Sequence, residues 1–295
     1  MVKTNIKGYM ITLSQKTINS PVSCSGIGIH SGKNVMMKLI PAAIDSGIIF
    51  KRTDVETVKS IVKADYKNVV ETNLGTTIAN EFGVKISTIE HLMAAIWGCG
   101  IDNLIIEIDN QEIPIMDGSS EPFVFLIECA GTVQQNAVRK NLEIIKTIRI
   151  EDGDKFIEVS SDKDFSVDLI IDFQHKQIQQ QKFFYHSTFA SFKNDVCRAR
   201  TFGFKHEIEY LNKMGLAKGG TLDNAILVDE NGVVNKEGLR YQNEFARHKM
   251  LDFIGDIYLC GYYMIGHFKA FKSGHSLNNK LLHKLIADKS AWRLV

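Results

Sequence analysis

Asn243-Glu244-Phe245-Ala246-Arg247-His248-Lys249-Met250-Leu251-Asp252-Phe253-Ile254-Gly255-Asp256-Ile257-Tyr258-Leu259 is the stretch whose reading decides the fold. It reads as one helix, opened by an Asn243 cap and closed at Gly261. Its apolar residues go most of the way round, so the helix is expected to be buried. Yet His248, Asp252 and Asp256 recur every fourth residue and stack along one edge. Charged groups on a buried helix are costly unless something pairs with them. A divalent metal about 2 Å from each ligand atom would answer that cost. Two ligands from one helix are too few, so a third is needed from elsewhere in the chain. The alternative is a surface helix with ordinary carboxylates, because His-x-x-x-Asp is a loose pattern.

The remaining chain sets the frame for this helix. Its 295 residues suit two domains, divided here into 1–134 and 135–295. A hydrophobic fraction of 44% with 23% charged residues places it among soluble globular proteins. Net charge is +1, and no basic aromatic stretch occurs, which argues against nucleic-acid binding. No run approaches the length of a membrane helix, and residues 1–10 lack a signal-peptide apolar core. The five cysteines are an odd number with no C-x-x-C pair. Reduced thiols, a cytoplasmic location and a metal held without cysteine follow.

Strand-like runs fall at 10–18, 35–40, 48–51, 74–79 and 104–108. Gly26-Ile27-Gly28-Ile29-His30-Ser31-Gly32-Lys33 reads either as a cradle for an anionic ligand or as a tight loop between strands. Ser87-Thr88-Ile89-Glu90-His91-Leu92 opens a second helix, where Ser87 and Glu90 match a capping box. Residues 121–129 form another helix, and the polar stretch 134–141 reads as a linker. Beyond it, 142–150, 155–160 and 167–173 alternate like antiparallel strands. A solvated turn at 174–182 and a strand running into a helix at 183–192 follow. A short helix at 207–214, a strand at 225–228, the quoted helix, a strand at 262–271 and a helix at 277–286 complete the chain. Both halves end in the order helix, strand, loop, helix. The expectation is an α+β protein of two related domains, each a sheet layered with helices. If the helix layers face one another, His91 meets His248 and becomes the third ligand, with the site between the domains.

Several of these pieces together resemble one family. Ser-Thr-Ile-Glu-His-Leu (87–92), Gly-Ile-Asp-Asn (100–103), Glu-Ile-Pro-Ile-Met-Asp-Gly-Ser (112–119), Arg-Thr-Phe-Gly-Phe (200–204), His-Lys-Met-Leu-Asp with Ile-Gly-Asp (248–256) and Lys-Ser-Gly-His-Ser-Leu-Asn-Asn-Lys (272–280) are similar to the UDP-3-O-acyl-N-acetylglucosamine deacetylases. These are zinc amidases of lipid A biosynthesis, and the resemblance runs from about Thr17 to about Ile286. It implies zinc on His91, His248 and Asp252, with ferrous iron an alternative in the cell. Glu90 matches the general base and His275 the catalytic histidine, oriented by Asp256. Thr201 matches the residue that helps bind the oxyanion. Lys249, Lys272 and His30 fall in stretches associated with substrate or diphosphate binding. Residues 208–222 match the insert that forms an acyl-chain passage, with Ile208, Ala217 and Leu222 as candidate lining residues.

The expected substrate is a nucleotide-sugar lipid, handled by a monomer with transient contact to a membrane surface and no integral membrane segment. Two His and one Asp leave an open metal position, as catalytic sites require. Another zinc amidase with a different amide, or a binding protein with a structural zinc, are the competing readings. Structural sites are usually closed by four protein ligands, which fits this pattern poorly.

Overall fold

The computed structural model describes residues 13–173, 175, 178–187 and 191–295. The N-terminal extension and the start of the strand expected at 10 lie outside the described residues. So do parts of the stretches 174–182 and 183–192.

Alternation builds the first sheet. In the strand Asn34–Pro41, Val35, Met37 and Leu39 point into the core while Met36 and Lys38 face out. Val22–Ile27, Asn34–Pro41, Leu104–Ile108, Ile48–Arg52 and Ile61–Lys63 lie side by side in that order. Helices α1 (Glu90–Gly98) and α2 (Glu121–Ala130) share their apolar core. A small three-stranded sheet, Val69–Glu71, Thr77–Ala79 and Lys85–Ile86, is inserted before α1.

The second half centres on the long strand Tyr263–Phe271. It pairs antiparallel with Lys155–Ser160 and parallel with both Phe165–Asp172 and Asn141–Ile144. Between these elements the chain makes an excursion. Strands Phe202–Phe204, Ile226–Asp229 and Gly232–Val233 form a small sheet, and helix α3 (Lys205–Lys213) leads out from it. Helices α4 (Glu244–Ile257) and α5 (His275–Ala287) complete the half. The architecture is α+β, as expected. None of the described helices is long and apolar enough to cross a membrane.

Helices α1 and α4 lie directly against each other. All of α1 is buried, and α4 buries every residue except Arg247 and Lys249. Gly255 makes the close approach possible: a Cβ there would stand 2.1 Å from the Glu90 carbonyl oxygen. At the far end of α1, Trp97 is enclosed by Phe165, Tyr185, Phe192 and Tyr263, with ring centroids 5.3, 6.2, 5.9 and 5.9 Å away. Tyr263 also donates its hydroxyl to the Trp97 carbonyl at 3.1 Å. Arg139 closes this end by pairing with Asp102 at 2.6 Å and donating to the Gly100 carbonyl. Its guanidinium stacks 4.2 Å from the Tyr263 ring.

Several expectations are corrected. The stretch 134–141 is no open linker, because Thr132–Val138 pairs antiparallel with Ser14–Ile18. Its residues are polar because the strand Thr132–Val138 is largely exposed, while its partner strand is mostly buried. Ser87 caps nothing: α1 starts at Glu90, and Thr88 sits in the left-handed region at φ 58°. Asn243 precedes α4, but its Oδ1 accepts from Arg247 Nε at 2.7 Å rather than from the helix amides. The strand expected at 74–79 is only Thr77–Ala79, because Leu74 (φ 60°) and Gly75 (φ 151°) form a turn. The single strand expected at 142–150 is two, Asn141–Ile144 and Ile148–Asp152. Gly261, at φ 79°, ends the helical segment as foreseen.

Candidate active site

The α1–α4 contact brings three ligand-type side chains to one point. His91 comes from the first turn of α1, and His248 and Asp252 from successive turns of α4. Both Nε2 atoms stand 3.4 Å from Asp252 Oδ1, and the three ligand atoms lie within 4.8 Å of one another. The two rings meet edge to face, their centroids 4.9 Å apart. His248 Nδ1–H donates to the Ala199 carbonyl at 3.1 Å, which fixes the tautomer and leaves Nε2 as the lone-pair donor. Burial pushes the His248 pKa down to about 3, so the ring is neutral, as a ligand must be. Asp252 Oδ2 accepts from Lys249 Nζ at 2.8 Å, while Oδ1 is buried with no hydrogen-bond partner. A buried carboxylate oxygen facing two imidazole nitrogens is what a divalent cation would satisfy.

Glu90 and His275 stand beside this trio. Glu90 Oε2 accepts the Thr76 backbone N–H at 2.9 Å. Burial raises the Glu90 pKa, against the neighbouring His275 and His91, which lower it. His275 is not a loop residue: it opens α5, with its Nε2 4.0 Å from Asp252 Oδ2. Its Nδ1 is 2.8 Å from Asp256 Oδ2. Burial works to lower the His275 pKa, but the Asp256 charge and hydrogen bond prevail and lift it to about 9.

A cavity of about 600 Å³ opens over these groups. Thr201 lines it, and Ile208, Ala217 and Leu222 lie on its wall with Leu211. Lys249 borders this cavity and also a second one, where it is joined by Lys272. Lys272 is paired with Asp154 at 2.8 Å and Asp172 at 3.1 Å, and its φ of 51° is unusual for a residue with a side chain. His30 lies apart from that pair, in the wall between the main cavity and a polar one. Its Nε2–H donates to the Leu74 carbonyl at 3.2 Å.

Two groups escaped the sequence reading. Thr76 donates its hydroxyl to Asp256 at 2.5 Å and gives its N–H to Glu90, so it links two members of the site. Asn278 donates to Asp256 Oδ2 at 2.8 Å. Asn278 had a signal, since it lies one helical turn beyond His275 within the quoted 272–280 motif. Thr76 had none. The loop 26–33 does cradle an anion, but the anion is the protein's own: Glu112 accepts the His30 and Ser31 N–H groups at 2.8 Å each.

An α+β fold that sets a His-His-Asp trio able to hold a metal ion beside a buried carboxylate and a second histidine has the parts of a metal-dependent hydrolase. A family model described as LpxC, UDP-3-O-acyl N-acetylglycosamine deacetylase, matches residues 15–287, and the chain belongs to that family. The UDP-3-O-acyl-N-acetylglucosamine deacetylase of Shewanella frigidimarina is 49% identical over 284 residues, covering 95% of this chain and 92% of the relative. That of Saccharophagus degradans is 49% identical over 285 residues, covering 96% and 93%. The Haemophilus influenzae enzyme of the same name is 47% identical over 285 residues.

Proposed function

We propose that this enzyme hydrolyses the acetamide of UDP-3-O-(3-hydroxyacyl)-N-acetylglucosamine, giving the free amine and acetate, a step of lipid A biosynthesis. The observation that carries the reading is the buried His91, His248 and Asp252 trio with its unpartnered Oδ1, lining the same cavity as Ile208, Leu211 and Leu222. In this reading residues 1–134 and 135–295 are the two domains, and 208–222 form the insert that takes the acyl chain. The site works in the cytoplasm, in a monomer that meets its lipid substrate at the membrane surface.

His91, His248 and Asp252 would hold a divalent ion, zinc by its donor set or ferrous iron in the cell, which would supply Lewis acidity for the amide carbonyl and for water. Glu90 takes the proton of the attacking water, its raised pKa bringing it nearer neutrality. Thr201 stabilises the oxyanion from the cavity wall. His275 is protonated at neutral pH and balances the developing negative charge, and the departing amine takes its proton from His275 or from Glu90. Asp256, held by Thr76 and Asn278, keeps the His275 ring in place. Lys249 and Lys272, sharing the adjoining cavity, bind the diphosphate. His30 contacts the substrate from the main cavity, and Ile208, Ala217 and Leu222 line the acyl passage. Each methylene buried there contributes about 0.8 kcal/mol, reduced by ordering costs.

The test is release of free amine from that substrate, before and after chelation and titrated return of zinc. Loss on chelation and recovery at equimolar zinc support the reading. A folded, metal-replete protein without activity would overturn the substrate. Asp252→Ala should lose both metal and turnover, because it removes one of three ligands. Metal analysis of the purified variant checks this, and full occupancy would refute the ligand role.

Asp256→Asn should move the alkaline limb of kcat/KM to lower pH. Protonated His275 persists below its pKa of about 9 and disappears above it. Removing the Asp256 charge lowers that pKa, by about one unit or more. An alkaline limb unmoved in the variant would show that His275 does not set it.

A further inference from the structure

We propose that Glu112, which lies outside the apolar cavity, is a positioning residue that sets how tightly the cavity holds a long alkyl chain. The inference rests on the reading that this cavity takes the acyl chain.

Glu112 is buried, at 3% exposure. It forms an isolated parallel bridge with Ser87, which lies just ahead of α1. Its two carboxylate oxygens take the N–H groups of His30 and Ser31, each at 2.8 Å, and the Thr88 hydroxyl lies 3.4 Å away. Two consecutive peptide units are thereby held at their N–H ends. The carbonyl ends of the same two units face the other way, toward the glycine-rich run 215–220 of the second half. The Gly219 N–H donates to the Ile29 carbonyl at 2.9 Å, and the Lys218 N–H to the His30 carbonyl at 3.3 Å. A carboxylate on one end of a peptide unit polarises it and strengthens the bond at the other end. Glu112 therefore acts through the loop on the segment that carries Ala217, Lys218, Gly220 and Leu222, all of which line the cavity.

Two glycines show how close this stack is. A Cβ on Gly28 would lie 2.2 Å from Glu112 Oε2. One on Gly219 would lie 2.3 Å from the Gly28 carbonyl oxygen. Carboxylate, loop backbone and cavity wall touch in sequence, with no side chain between them. The backbone of Ala217 is left-handed, at φ 55°, so the wall is held in a conformation it would not adopt unaided. Glutamine at 112 keeps the size but replaces one acceptor with an NH₂ that opposes a backbone N–H. The loop then loses one of its two bonds to residue 112, and the other is no longer charge-assisted.

Two measurements on the full chain test this. The first compares KM and kcat for substrates with a 3-hydroxydodecanoyl or a 3-hydroxybutanoyl chain. Glu112→Gln should raise KM for the long chain roughly tenfold, leave KM for the short chain within about twofold, and leave kcat unchanged on both. The second is displacement of a fluorescent fatty acid by dodecanoate, which needs no turnover. Glu112→Gln should weaken dodecanoate by the same factor as the long-chain KM. Gly219→Ala, which leaves Glu112 in place, should show the same chain-length pattern and serves if the first variant does not fold.

A uniform loss at both chain lengths would reduce Glu112 to a general structural role and overturn the proposal. Wild-type affinity for dodecanoate in Glu112→Gln would overturn it also. If the wild type binds dodecanoate but releases no amine, the proposed activity falls, and the displacement assay still decides the role of Glu112.

Discussion

Glu90→Gln is expected to lower kcat by about 10²–10⁴-fold while metal content and melting temperature stay at the wild-type level. The substitution is close to isosteric. An amide oxygen can still accept the Thr76 N–H that now reaches Oε2. There is room for nothing larger, because a Cβ on Gly75 would already stand 2.8 Å from Oε1. What the amide cannot do is accept a proton from water. Glu90 is not one of the three clustered ligand groups, so the metal has no reason to leave. Turnover within threefold of wild type would remove Glu90 as the base. Loss of metal together with activity would instead make its role a structural one.

Gly255→Ala should be as severe by a different route. In an isolated helix alanine is favoured over glycine by about 1 kcal/mol. Here the new Cβ would stand 2.1 Å from the Glu90 carbonyl oxygen and 2.9 Å from its carbonyl carbon. Those atoms are backbone in a buried helix and cannot swing aside. Helices α1 and α4 must separate, and overpacking of this kind costs about 3 kcal/mol. Separation also pulls His91 away from His248 and Asp252, so metal affinity should fall with stability. Denaturant unfolding and metal titration on one preparation test both effects. A variant as stable as wild type, with the same metal affinity, would show that the helix contact tolerates a methyl group.

The parts of this design that sequence reveals are those written within one element. The edge formed by His248, Asp252 and Asp256 on an otherwise apolar helix follows from the helical repeat. It pointed to a metal and to burial together. His91 needed a supposition about how the halves meet, and the geometry of α1 against α4 now supplies that contact. Local signals that compete with tertiary demands misled. Ser87 and Glu90 have the spacing of a capping box, yet Glu90 is turned toward Thr76, and Thr88 is left-handed. The stretch 134–141 is polar, as a linker would be, but an exposed ribbon is polar too. Links between distant residues left no trace at all: Thr76 to Asp256 spans 180 positions, and Glu112 to His30 spans 82. A hydrogen bond between remote residues has no periodicity, so only the folded chain displays it.

The ring cluster at the end of α1 gives this enzyme an optical property. The chain has two tryptophans. Trp97 belongs to the first half, but among the described residues the rings packed on it, Phe165, Tyr185, Phe192 and Tyr263, come from the second. Excitation absorbed by those tyrosines is passed to the indole only while the halves are together, and the emission of a shielded indole lies to the blue of a hydrated one. Trp292 lies near the far end of the chain, with Lys289 4.5 Å from its ring. With phenylalanine at 292, the fluorescence of the single remaining indole becomes a label-free gauge of whether α1 and α4 are apposed, readable during metal removal or ligand titration.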